Sequence, residues 1–235
     1  MIFIDSADRA ELSQALSLPY CKGFTTNPTL FLRALGVQEL SLAEYVSAAR
    51  SLVDFAAGDA KARDVMIQGV GAPGQVLAQL HAYRDALGAV RDTTLWIKLL
   101  PTREHLSLCP DIASLGCKSL VTAVFTPAQA CAAMESGADG VAVYLGRTMK
   151  QDDWETTLES IARLVLPREK MLLMASLADA WKVEAALRYS ADITVPFAMI
   201  DQLLRSPHSD EAIATFTAQV GEDVASDVTT SDMGQ

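Results

Sequence analysis

Short apolar runs alternate with stretches of 3.6-residue periodicity along the chain. The runs that read as strands are Ile2–Ile4, Gly23–Thr26, Val65–Gln68, Leu95–Leu99, Ser119–Val124, Gly140–Tyr144, Met171–Ala175 and Ile193–Val195. Between them the helical period appears over Asp8–Leu16, Leu42–Ala57, Gly74–Leu87, Glu104–Leu115, Pro127–Glu135, Trp154–Leu164, Ala178–Leu187 and Ala198–Leu204. Eight strands, each followed by a helix, predict an α/β chain folded as a (β/α)8 TIM barrel. A doubly wound sheet alternates too, but usually with fewer strands and a glycine-rich first turn. Ser6 and Asp8 are placed to cap the first helix, Thr126-Pro127 to start the fifth, and Pro196 to close the last strand. An additional C-terminal helix, Ser209–Val220, carries Ile213, Phe216 and Val220 at helical spacing, a face that must cover the barrel or a neighbouring subunit. Neither a repeat nor an interdomain linker interrupts the pattern, so one domain is expected over 1–222, followed by a polar, disordered tail at 223–235.

Composition narrows the partners. Half of the 235 residues are hydrophobic and 20% are charged, the make-up of a globular protein with a large core. A net charge of -10 argues against nucleic acid and against an anionic membrane surface, both of which need a basic face. Met1-Ile2-Phe3-Ile4-Asp5 lacks the basic start of a signal peptide, and no apolar run reaches membrane-spanning length, so a cytoplasmic protein is expected. Cys21, Cys109, Cys117 and Cys131 form no Cys-x-x-Cys pair and are expected to be reduced. His81, His105 and His208 are scattered, which gives metal or Ser/His chemistry little support.

The C-terminal ends of barrel strands are where such folds place their chemistry. Several strands here finish on polar residues: Asp5; Thr25, Thr26 and Asn27; Gln68; Lys98; Thr122; Tyr144; and Ser176 just past the seventh. Each has a structural explanation of its own. Asp5 and Ser176 could cap helices, Thr25–Pro28 could be only a turn, Tyr144 could be a core ring, and Arg147 could be a surface charge. Lys98, in Leu95-Trp96-Ile97-Lys98-Leu99, is harder to explain that way, because a parallel strand is covered on both faces. A buried ammonium is costly, and an amine that sheds its proton is a nucleophile able to form a Schiff base with a carbonyl. Together, a lysine, an acid, a phenol, amides and hydroxyls make up the set that Schiff-base aldol chemistry uses.

Over nearly its whole length the chain resembles the transaldolase family, and within it the fructose-6-phosphate aldolases. The resemblance rests on Ile4-Asp5-Ser6-Ala7, Gly23-Phe24-Thr25-Thr26-Asn27-Pro28-Thr29, Ile97-Lys98, Thr122–Ala130, Val143-Tyr144-Leu145-Gly146-Arg147 and Ala175-Ser176. It implies a class I aldolase without metal or organic cofactor, acting on small ketose and aldehyde substrates that carry a phosphate. In that likeness Lys98 is the Schiff-base lysine and Asp5 assists proton transfer. Thr26 and Asn27 bind substrate, Asn27 at the donor end. Thr122 and Gln68 position a water, and Arg147 and Ser176 hold the acceptor's phosphate. Transaldolases carry a glutamate at the position of Gln68 and usually a phenylalanine at that of Tyr144, whereas this chain has the pair typical of the aldolases. Tyr144 then helps water release the enamine as free ketone.

The expected reaction is reversible cleavage of a ketose phosphate, such as fructose 6-phosphate, to dihydroxyacetone and glyceraldehyde 3-phosphate. The alternatives are transfer of a dihydroxyacetone unit between sugar phosphates, and a non-catalytic barrel that binds a sugar phosphate or a partner protein. Gly146 and Leu177 depart from the asparagine and the aromatic residue of the aldolases, and Pro101–Leu106 lacks their usual glycine, which bears on acceptor preference. The C-terminal helix resembles one laid across a neighbouring subunit in ring-based decamers, implying a homo-oligomer.

Overall fold

Apolar strands that are covered on both faces read as near-continuous hydrophobic runs, and the computed structural model uses them in that way. It describes residues 1–58, 60, 62–88 and 92–220. The strands are β1 (Ile2–Asp5), β2 (Cys21–Thr25), β3 (Asp64–Gln68), β4 (Thr94–Leu99), β5 (Lys118–Val124), β6 (Gly140–Tyr144), β7 (Met171–Ala175) and β8 (Asp192–Val195). They pair in chain order as a closed barrel, every pair parallel. The helices are α1 (Arg9–Leu16), α2 (Pro28–Leu35), α3 (Leu42–Gly58), α4 (Pro73–Leu87), α5 (Arg103–Leu106), α6 (Cys109–Ser114), α7 (Pro127–Glu135), α8 (Leu145–Thr148), α9 (Trp154–Val165), α10 (Ala180–Leu187) and α11 (Pro207–Gln219). The fold is the (β/α)8 barrel that the strand count predicts, with the C-terminal helix present as α11.

The chain divides into two compact units, Met1–Met199, which contains all eight strands, and the segment from Ile200 onward. In the second unit α11 buries none of its residues, and Ile213 and Phe216 are 62% and 64% exposed. The tail expected at 223–235 lies outside the described residues. Among those residues no helix is long and apolar enough to cross a membrane.

Three helix expectations change. The periodic stretch 104–115 is broken into α5 and α6, because Pro110 has no N–H to offer the carbonyl a turn earlier. Ala198–Leu204 is instead two 3-10 turns, Phe197–Met199 and Asp201–Leu204. The Thr-Thr-Asn-Pro run is more than a turn, because it opens α2. Asn27 Oδ1 accepts the Leu30 N–H at 3.2 Å, Pro28 supplies a pre-set first position, and Gly36 ends the helix at φ 68°.

Inside the barrel Phe3, Met66, Trp96, Leu120, Ala142, Met171 and Leu173 form one buried cluster. Side chains alternate along a strand, so the residue two places further on faces inward as well. Five of those positions are Asp5, Gln68, Lys98, Thr122 and Tyr144. The apolar layer is therefore the floor of a polar one.

Candidate active site

The polar layer lines a cavity of about 450 Å3. Asp5, Asn27, Gln68, Lys98, Thr122, Tyr144, Arg147 and Ser176 all border it, together with Thr25 and Thr194. Of the residues singled out from the sequence, only Thr26 lies outside this lining. It is fully buried, and its contribution is its backbone carbonyl, which accepts from Lys98 Nζ at 3.0 Å.

Lys98 is 3% exposed. Burial holds its ammonium below the ordinary lysine range, while the Asp5 carboxylate pulls in the opposite direction. On strand register Lys98 sits beside Gln68 of β3 and Leu120 of β5. Asp5 in turn accepts from Thr25 Oγ1 at 2.7 Å, and Thr25 Oγ1 lies 2.8 Å from Thr194 Oγ1. Thr194 was not selected from the sequence, and Thr25 was named only among the polar residues that close β2, with no role assigned. Period-2 counting from Gly23 would have chosen Thr25 over Thr26, whereas Thr194 sits mid-strand in Ile-Thr-Val with no positional signal.

Thr122 Oγ1 is buried and has no hydrogen-bond partner among the described residues. A donor–acceptor in that state is available to a substrate hydroxyl or a water. Just past it, Ala123 adopts φ 56° where the β5–β6 register shifts, a left-handed conformation that costs an alanine about 1 kcal/mol. Asn27 spends Oδ1 on the α2 cap, which leaves its NH2 group to donate. Tyr144 packs edge-on to Phe125, with ring centroids 5.9 Å apart, and the Arg147 guanidinium lies 5.4 Å from the Tyr144 ring centroid. Arg147 is carried by the short α8, is exposed, and forms no ion pair among the described residues.

Ser176 is placed differently from expectation. It neither caps the helix that follows β7 nor lies at its N-terminus. That helix starts at Ala180, with the acidic Asp179 as its N-cap residue and paired with Lys182. A phosphate at Ser176 therefore gains nothing from helix amides, and what Ser176 offers is its hydroxyl on the lining it shares with Arg147. Ser176 adopts φ 65°, and its backbone presses on Gly146: a Cβ at 146 would stand 2.4 Å from Ser176 O. A Gly146→Ala variant must displace backbone. It is expected to lose about 1–2 kcal/mol, a fall in Tm of roughly 2–8 °C in a circular-dichroism melt.

Contrary to a reading of the chain as lacking Gly-x-Gly-x-x-Gly, Gly69-Val70-Gly71-Ala72-Pro73-Gly74 has that spacing, the one found in dinucleotide-binding loops. Three of its amides are already taken. Gly69 N–H donates to Lys98 O at 2.9 Å, Val70 N–H to Gln79 Oε1 at 3.1 Å, and Ala72 N–H to Gln75 Oε1 at 2.8 Å. These three bonds tie the loop to β4 and to its own helix. His105 braces the same region, accepting from Leu100 N–H at Nδ1 and facing Gly71 O through Nε2 at 3.0 Å.

The transaldolase/fructose-6-phosphate aldolase family model matches residues 2–234. A "Probable transaldolase" of Chlorobium phaeobacteroides (strain BS1) is 30% identical over 225 residues, 91% of this chain and 94% of that protein. Those of Geobacter sulfurreducens and Thermus thermophilus are each 28% identical, over 91% and 92% of this chain and 94% and 95% of theirs. Among solved structures, a 2,3-dimethylmalate lyase of the PEP mutase/isocitrate lyase superfamily shares the fold, with a TM-score of 0.58 at 13% identity over 93% of this chain and 82% of that one.

Proposed function

The chain belongs to the transaldolase/fructose-6-phosphate aldolase family, and from that premise we propose that it is a Schiff-base (class I) aldolase. Its reaction is the reversible cleavage of a ketose phosphate such as fructose 6-phosphate into dihydroxyacetone and glyceraldehyde 3-phosphate. The observation that carries this reading is Lys98, a buried amine with a lowered proton affinity in a cavity lined by Asp5, Gln68, Thr122 and Tyr144.

Lys98 Nζ attacks the C2 carbonyl of the ketose, and loss of water gives a protonated imine. The C3–C4 bond then breaks. Its electron pair moves into the imine to form an enamine, and the C4 hydroxyl proton passes to Asp5 as the aldehyde leaves. Protonation of the enamine carbon, with Tyr144 as donor, and attack by a water held by Gln68 and Thr122 return the free amine and dihydroxyacetone. The Schiff base is the electron sink, so the scheme requires neither metal nor organic cofactor. Arg147, exposed at the rim and without an ion pair among the described residues, suits the phosphate of the aldehyde half.

Transfer of the dihydroxyacetone unit to a second aldehyde is the competing reading, favoured by the names of the relatives. Gln68 and Tyr144 favour release. The test combines borohydride trapping of a ketone donor, read by mass spectrometry, with an assay run without acceptor. A Lys98 adduct and free dihydroxyacetone are expected. No adduct across a panel of donors would sink the Schiff-base proposal, and strict dependence on an acceptor would make the protein a transaldolase.

The exposed Ile213 and Phe216 on α11 support a homo-oligomer, with a decamer as the expected form. Light scattering is expected to give a multiple of the 25.2 kDa chain, and a monomer mass would refute it.

A further inference from the structure

Two threonines from the strands that flank β1 meet inside the barrel. Register places Thr25 of β2 level with Asp5 and Thr194 of β8 level with Phe3. Both side chains border the cavity, yet each residue is only 1% exposed. Proton counting then gives the chain a direction. A carboxylate only accepts, so the single hydroxyl proton of Thr25 goes to Asp5 Oδ1 at 2.7 Å. Thr25 Oγ1 must therefore be the acceptor in its 2.8 Å contact with Thr194. The order is Thr194 O–H to Thr25 Oγ1, and Thr25 O–H to Asp5.

We infer that Thr194 is a positioning residue for Asp5. Its hydroxyl fixes the rotor of Thr25, and through it holds Asp5 Oδ1 against β2. Asp5 Oδ2 has no hydrogen-bond partner among the described residues and is the oxygen left for a substrate proton. Valine would fill the same strand position with nearly the same shape, so the hydroxyl is explained by the chain it starts rather than by packing. The hydrogen-bond order follows from the geometry alone, while its effect on rate rests on the aldolase reading of Asp5. The other ionisable groups around Asp5 are Lys98, Tyr144 and Arg147 in the main cavity, and Asp8, Glu11 and Arg33 in the smaller one that adjoins it.

Donation into Thr25 polarises its O–H toward the Asp5 anion, so loss of that donation loosens the hold on Oδ1. The experiment follows the Asp5 carboxyl signal at neutral pH by 13C NMR in protein labelled at the aspartate carboxyl carbons, with the Asp5 signal assigned by its loss in Asp5→Asn. Thr194→Val is expected to displace that signal from its position in the unmodified chain, because the hydrogen bond to Oδ1 weakens. Thr194→Ser is expected to restore it. In cleavage assays kcat is expected to fall about 2–10-fold for Thr194→Val, with KM within about two-fold, the pattern of a misplaced proton-transfer group. An unchanged Asp5 signal in folded Thr194→Val, or a serine variant that behaves like valine, overturns the inference. If valine prevents folding, Thr194→Ala reads the same signal. A displaced signal without any Lys98 adduct in the unmodified chain would leave the hydrogen-bond chain standing and defeat the aldolase reading, and an adduct without a displacement does the reverse.

Discussion

Replacement of Lys98 by methionine is expected to abolish the borohydride adduct and to lower cleavage by roughly 10^4-fold or more, because among the described residues no other lysine borders the cavity. The same substitution is expected to stabilise the fold near neutral pH. Burial lowers the proton affinity of Lys98 in the native state, whereas the unfolded chain holds an ordinary lysine. The unfolded state therefore binds more protons, and stability rises with pH from the lowered native value up to the ordinary 10.5. Below that window the lysine works against folding, and methionine removes the cost. Asp5 loses a cation but keeps its hydrogen bond from Thr25, so the offset is partial. A gain of about 1–2 kcal/mol, or roughly 2–8 °C in Tm, is expected at pH 7, shrinking as the pH approaches 10.5. Adduct or cleavage surviving in the variant would move the nucleophile elsewhere. A Tm that falls instead would mean that the pairing with Asp5 outweighs the desolvation.

The barrel was legible because its evidence is periodic. Val65-Met66-Ile67 and Leu172-Leu173-Met174 could only be strands covered on both faces, and the same period places Gln68 and Lys98 one layer above Met66 and Trp96. What escaped had no period to show. The four-residue α8, which carries Arg147, is too short for a pattern, and the break before α6 hangs on Pro110 alone. For α2 the start and stop signals, Asn27-Pro28 and Gly36, are present but read equally well as turn residues. Ser176 was misplaced because its backbone is left-handed and the N-cap of the helix falls three residues further on, at Asp179. Thr194 is the instructive miss: nothing marks a threonine between isoleucine and valine until the barrel closes β8 onto β1 and brings it to Thr25.

Release and transfer differ only in what happens to the enamine, so Tyr144→Phe is expected to separate them. The ring is held independently of its hydroxyl, edge-on to Phe125 and against the Arg147 guanidinium, so phenylalanine should keep its place. What is lost is a proton donor, worth typically 10^2–10^4-fold in a proton-transfer step. Release of dihydroxyacetone without acceptor is expected to fall about 100-fold, because protonation of the enamine carbon becomes rate-limiting. Transfer to an added aldehyde bypasses that protonation, since the enamine carbon attacks the aldehyde and Asp5 supplies the proton to the new hydroxyl. Transfer should therefore fall by much less, and the ratio of transfer to release should rise at least about ten-fold. Adding Gln68→Glu places an acid where the water is held and is expected to push the ratio further in the same direction. Equal losses in both assays would show that Tyr144 acts before the enamine forms, at the carbinolamine, and the choice between lyase and transferase would then have to lie in Gln68 and Thr122.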